Sequence, residues 1–259
     1  MVATALFAAG LLLTPLALAT LLPLLPRRPN YATHPVPTAA GLAFLPIILT
    51  ALSISLLSGL PLWAPAYLLL AGLVGFADDA MGGKEARGFG GHLRALGRGR
   101  VTGGQVKVVG MGGGALVVGV VLYGASLSAL AAAFLLAGFA NLANLLDVRP
   151  GRALKFLGLF VPVLAIGAGE VLAGVAGVLG GAVSLFYFDL RGRIMLGDTG
   201  AAVWGATVGC LVVAWGPGWV WWAAGTAVLG LTLVAEFHSI SGIIREVGIL
   251  RRFDQWGRT

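Results

Sequence analysis

Apolar residues run along this chain in blocks near 3–25, 39–59, 62–79, 106–124, 127–146, 154–169, 171–188, 197–214 and 219–238. A helix needs about 20 mostly apolar residues, within a range of roughly 17 to 25, to cross the hydrocarbon core. Each block therefore predicts a spanning helix, and 154–169 is the shortest. Polar positions collect between the blocks. All seventeen Lys and Arg residues fall in five gaps: Arg27 to Arg28, Lys84 to Lys107, Arg149 to Lys155, Arg191 to Arg193, and Arg245 to Arg258. Two spans separate each gap from the next, so every basic residue lies on one side. The turns on the other side carry no base and a single acid, Glu170. Positive charge marks the cytoplasmic face. The pattern predicts an all-α, polytopic membrane helix bundle of about nine transmembrane helices, with the N-terminus outside and the C-terminus cytoplasmic. Residues 1–259 read as a single integral membrane domain of the cell (plasma) membrane, with its active face toward the cytoplasm.

Composition agrees with that pattern. Apolar residues make up 58% of the chain and charged residues 10%, against about 25% charged in soluble domains. The net charge of +7 is spread over membrane-flanking loops, with no soluble module to hold a duplex, which excludes nucleic acid as a partner. Anionic lipid headgroups and phosphorylated substrates fit it better. Ala17-Leu18-Ala19 resembles a cleavage site, but no base precedes the first apolar block and Arg27-Arg28 follow it directly, so 3–25 is expected to be retained as a helix. Cys210 is the one cysteine, so the chain forms no internal disulfide. Most of the 41 glycines are expected to let helices pack closely.

Candidate chemistry lies on the basic face. Asp78 and Asp79 end the third block, where two adjacent carboxylates face each other and the negative end of a helix dipole, so a cation or a proton is expected to compensate them. Asn141, Asn144 and Asp147 recur every three residues along one helical face at the end of the fifth block. Their hard oxygens suit Mg²⁺, while interhelical hydrogen bonding explains Asn141 equally well. Gly197-Asp198-Thr199-Gly200 opens the eighth block. Asp198 there reads either as an ordinary helix cap or as a carboxylate holding a metal against a phosphate bound at the helix N-terminus. The glycine-rich, basic segment 80–105 is either solvated or folded over the cytoplasmic mouth.

These segments together resemble the polyprenyl-phosphate N-acetylhexosamine-1-phosphate transferases, the superfamily that includes the phospho-N-acetylmuramoyl-pentapeptide transferase. The resemblance rests on Pro37-Thr38-Ala39-Ala40-Gly41, Gly75-Phe76-Ala77-Asp78-Asp79, Asn144-Leu145-Leu146-Asp147 and Leu196-Gly197-Asp198-Thr199-Gly200-Ala201, in the family's order over about residues 25–210. It implies transfer of a sugar 1-phosphate from a UDP-sugar to a polyprenyl phosphate, with Mg²⁺ required and UMP released, in cell wall or other glycan biosynthesis. It makes Asp198 a metal ligand and Asn144 a second candidate, lets Asp78 or Asp79 activate or position the lipid phosphate, and has Asp147 complete an acidic pocket. His34 stands where the family has a basic residue. Arg149, Arg152, Lys155, Arg191 and Arg193 supply cations for phosphate oxygens. The expected partners are the polyprenyl phosphate lipid, a nucleotide sugar and membrane lipids, with room for a homodimer.

The chain departs from the family after Asp147, where Val148-Arg149-Pro150-Gly151 replaces the usual Gly-x-Asp-Gly, and His238 stands alone where a His-rich motif is usual. Those departures keep a second reading open, a non-catalytic binder of polyprenyl phosphate or another phosphorylated ligand. An ion-coupled transporter fits less well, because nothing ionisable lies deep between Glu170 at an outer turn and Glu236 near an inner helix end.

Overall fold

The computed structural model describes residues 1–81 and 103–258. Eight helices among them are long and apolar enough to cross a membrane. In chain order they are α1 (Val2–Leu21), α2 (Leu45–Ser58, entered through a 3-10 turn at Ala40–Phe44), α3 (Trp63–Met81), α4 (Gly103–Tyr123), α5 (Leu127–Leu146), α8 (Val171–Leu190), α9 (Gly197–Ala214) and α10 (Trp219–Phe237). Eight of the nine expected blocks thus fold as continuous helices. The exception is 154–169, which forms two short helices, α6 (Arg152–Gly158) and α7 (Val161–Ile166). Pro162 lies in the first turn of α7. Its ring removes the donor that would bond the carbonyl of Gly158 and clashes with that carbonyl, so the helix breaks there and restarts with Pro where a first turn tolerates it. The indoles of α9 accompany this broken segment: Trp204 donates to the carbonyl of Ala153 at 3.1 Å and Trp215 to that of Leu164 at 2.9 Å.

Helix α9 is the axis of the bundle, buried without interruption from Thr199 to Val213, and α3, α5 and α8 pack around it. Small residues set the spacing. A Cβ built on Gly10 of α1 would lie 1.9 Å from the carbonyl oxygen of Gly177 in α8, a contact of backbone on backbone that only glycine permits. Helices α1, α4 and α10 lie at the periphery and turn Leu12, Leu16, Val109, Val117, Val121, Trp222 and Leu233 outward, as the lipid-facing side of a membrane bundle requires. Two elements lie outside the helical pattern read from the sequence. Strands β1 (Arg27–Pro29) and β2 (Pro35–Pro37) pair antiparallel into a hairpin, and two short helices, α11 (Ile240–Glu246) and α12 (Gly248–Gln255), follow α10. Segment 80–105 lies outside the described residues except at its two ends.

Candidate functional site

The start of α9 is held by two neighbouring segments. Residues 37–41 run beside it: Met195 N–H donates to the carbonyl of Pro37 at 2.8 Å, Ala40 N–H to that of Met195 at 3.1 Å, and Gly41 N–H to that of Leu196 at 3.0 Å. A side chain on Gly41 would run into the backbone of Gly200, so the Pro-x-x-x-Gly segment acts as a backing strip for the Gly-Asp-Thr-Gly turn. From α3, Gly75 packs against the backbone of Asp198 and Thr199. One helical turn further on, the carboxylate of Asp79 accepts hydrogen bonds from Asp198 N–H at 3.1 Å, Thr199 N–H at 2.9 Å and the Thr199 hydroxyl at 2.6 Å. Asp79 thus caps α9 from a neighbouring helix, with its negative charge at the positive end of the dipole. Gly197 makes this possible: its φ is +72°, and a Cβ there would meet the Asp79 carboxylate at 2.7 Å.

With the cap supplied by Asp79, Asp198 is released from that task. No side chain of α9's own sequence caps it, so the ordinary N-cap reading of Asp198 does not hold. Its carboxylate instead meets the ammonium of Lys107 at 2.5 Å, and the same ammonium lies 3.4 Å from Asp78. Lys107 stands in the first turns of α4, whose first residue is Gly103. The compensating cation expected for the adjacent acids is therefore a side chain of the chain itself. Asp78 and Asp79 separate by role because successive helical residues point about 100° apart.

Asp147 closes α5, and the charges of Asp189, Asp198 and Asp79 all act on it. It keeps some exposed surface, yet protein surrounds its carboxyl. That desolvation first, and then the three negative charges, push its pKa well above the usual carboxylate range, with Lys107 pulling the other way. Asp189, near the end of α8, is buried and accepts a hydrogen bond from Gly151 N–H at 3.0 Å, which fixes the turn after Asp147. The sequence reading missed Asp189 and Lys107 as members of this cluster. Each lies at the polar end of an apolar block, and that position was their only signal.

The remaining candidates divide into two groups. Arg149 stacks over Tyr31 at the hairpin tip, 5.2 Å from the ring centre, and Arg191 and Arg193 both lie over Tyr187 at 5.3 and 5.6 Å. Asn30 in the hairpin turn approaches the carbonyl of Gly192 at 3.5 Å, so these three arginines belong to one rim. His34 is exposed at the end of that turn. Asn144 donates its amide to the carbonyl of Ala140 at 2.9 Å, and among the described residues no donor meets its oxygen. Arg152 and Lys155 are the correction: they are 1% and 5% exposed and face the C-terminal segment instead of a ligand. Arg152 grips Asp254 through two bonds of 2.7 and 3.0 Å. Lys155 donates to the carbonyls of Phe253, Asp254 and Trp256.

The acidic cluster offers hard oxygens facing a positive charge, the chemistry of a Mg²⁺ site. Among the described residues no three His, Cys, Asp or Glu side chains form a ready cage. Mg²⁺ does not need one, because it keeps several waters and is held by one or two carboxylates together with substrate phosphates. Asp198 and Asp78, which already share one cation, fit that description. Comparison of the chain with models of known families and with curated proteins returns no match.

Proposed function

We propose that the protein transfers a sugar 1-phosphate from a UDP-sugar to a polyprenyl phosphate at the cytoplasmic membrane face. The observation that carries this reading is the meeting of Asp78, Asp198 and Lys107 at the N-terminus of α9, with Asp147 in electrostatic reach. Four segments quoted for the family resemblance thereby serve one place: one backs α9, one caps it, and the acids of the others face the same cluster.

The two substrates bring about four negative charges to one site, so the reaction depends on positioning and charge stabilisation. An oxygen of the lipid phosphate attacks the sugar-bearing phosphorus, the bond to the UMP oxygen breaks, and UMP departs with that electron pair. Asp198 and Asp78 would hold the metal, with the Asn144 oxygen as a further donor. Bound there, Mg²⁺ supplies charge neutralisation between the phosphates. Lys107, released from the carboxylates, would turn to phosphate oxygens, and the rim arginines Arg149, Arg191 and Arg193 would receive the diphosphate. The N-terminus of α9 adds its dipole. Asp147, whose pKa is raised by burial and by the neighbouring carboxylates, would complete the acidic pocket.

The orientation belongs to the same proposal. Segment α6–α7 runs from Arg152, beside the C-terminal helices, to Leu164, beside Trp215 at the far end of α9. It serves as a short, broken ninth crossing, which keeps every basic gap on the cytoplasmic side and the N-terminus outside. Pro150 favours the second reading, a binder without turnover: its carbonyl accepts from Arg258 at 2.8 Å, so it forms part of a closed turn where the family has an acidic residue.

The test is incubation of purified protein with Mg²⁺, undecaprenyl phosphate and a panel of nucleotide sugars, with lipid products read by mass spectrometry. Asp198→Asn should fold normally and lose turnover by orders of magnitude, as removal of metal stabilisation worth several kcal/mol demands. Near-normal turnover in that variant would refute the assignment of Asp198. Lipid binding without any product would establish the binder.

A further inference from the structure

Helix α12 is fixed in position and in roll. Phe253 meets Phe156 edge to face at 5.1 Å. Asp254, 6% exposed, is gripped by Arg152 on one side and by Arg258 on the other, the latter through bonds of 2.9 and 2.7 Å. Lys155 takes up three carbonyls at the helix end, at 3.0, 2.7 and 2.9 Å, groups that a helix C-terminus otherwise leaves without partners. This roll turns Ile249 and Trp256 outward, 76% and 64% exposed. They are two turns apart on one stripe, with Arg252 between them. Val247 and Phe237 are also exposed, as are Arg245, Arg251 and Arg252. Among the described residues none of these three arginines forms an ion pair, and the one hydrogen bond from Arg245 goes to the carbonyl of Ser241 in its own helix.

A single exposed apolar residue is ordinary. Here, however, large apolar side chains alternate with arginines that form no ion pair among the described residues, the composition of a segment that lies in a membrane interface. Trp is the residue most at home at that depth. Helix α12 also sits beside the first turn of α6, where α5 has just ended, so its level is that of a membrane surface. We propose that α11 and α12 rest on the leaflet adjoining the candidate site, with Ile249 and Trp256 among the headgroups and Arg245, Arg251 and Arg252 engaging the phosphates of anionic phospholipids. Charge complementarity selects the anionic lipid, and the eight membrane-length helices already place a bilayer within reach. The proposal requires only that the protein is a membrane bundle and does not depend on the transferase reading.

The full chain is placed in nanodiscs of phosphatidylcholine with increasing phosphatidylglycerol. Emission from Trp256 is isolated by subtracting a Trp256→Phe variant and probed with brominated acyl chains and with acrylamide. Anionic discs should bring quenching by the brominated chains and protection from acrylamide. Each arginine near an anionic surface is worth about fivefold. The double variant Arg251→Gln/Arg252→Gln should therefore shift the partition about 25-fold and need more phosphatidylglycerol for the same quenching. Its thermal unfolding should match that of the unaltered protein, because neither arginine holds the fold. Two results would overturn the proposal. One is Trp256 open to acrylamide and untouched by brominated chains in every disc, the signature of a solvated face or of a protein partner. The other is equal quenching in phosphatidylcholine alone, insensitive to the two substitutions.

Discussion

Replacing Asp79 by Ala should be among the most destabilising single changes available at this end of the bundle. The carboxylate accepts three hydrogen bonds from the first turn of α9 and is 7% exposed. Hydrogen bonds to a charged group are worth about 1.5–3 kcal/mol each in isolation, but these three share one carboxylate and do not add. Loss of a helix cap costs about 1 kcal/mol, and up to 2. Loss of a partly buried charge at the helix N-terminus adds roughly 0.3–2 kcal/mol. Water would not easily reach the exposed donors, because Gly75 and residues 37–41 cover them. Together these give about 3–4 kcal/mol for Asp79→Ala. Asp79→Asn keeps one acceptor oxygen and should cost about half as much. Among the described residues Asp78→Ala loses a partly exposed ion pair with Lys107, and it should cost less than about 1 kcal/mol. Unfolding of the three variants in detergent, followed by tryptophan emission, gives the order directly, and the buried Trp204 of α9 reports on the affected helix. If Asp79→Ala proved no less stable than Asp78→Ala, the capping assignment and the division of labour between the two acids would both fall.

Removing Asp254 should leave the buried guanidinium of Arg152 without its carboxylate, at a cost of about 3–5 kcal/mol, measurable as a lowered unfolding midpoint for Asp254→Ala. Burial alone would raise the pKa of Asp254, but the hydrogen bonds and charges of Arg152 and Arg258 hold it near 2. Its folded pKa lies below the unfolded one, so its stabilisation is complete above about pH 4 and fades toward pH 2; an acid-unfolding curve of the variant should lack that component. Asp147 has the opposite sign: its raised pKa means that the folded state binds more protons, so its contribution to stability falls as pH rises above about 4. Asp147→Asn should therefore melt higher than the unaltered protein at neutral pH and lose that advantage in acid, as differential scanning will show. Gly10→Ala should force α1 and α8 apart, because the new methyl would strike the carbonyl of Gly177, at about 1–3 kcal/mol, again read from the melting midpoint.

The sequence alone determined the long apolar helices, because a chain in lipid must satisfy every backbone donor and acceptor within its own helix. Length and apolarity then suffice, and eight of the nine blocks lie within a few residues of their helices. The break in 154–169 also has a local cause in Pro162, which the expectation of one continuous helix overlooked. The sequence also marked the end of the bundle where the charged side chains gather, since charge is costly in the hydrocarbon. What it did not determine is the use of each charge. Asp78 and Asp79 are neighbours of identical type, and only tertiary packing makes one a cap for α9 and the other an ion-pair partner of Lys107. Arg152 and Lys155 look like phosphate ligands until α12 folds back and takes them for Asp254 and the last carbonyls. Lys107 reads as a topological charge until α4 brings it between Asp78 and Asp198. An ionic or hydrogen-bonding role depends on a partner a few ångströms away, and here those partners lie 29 to 120 residues away along the chain, a distance only tertiary packing closes.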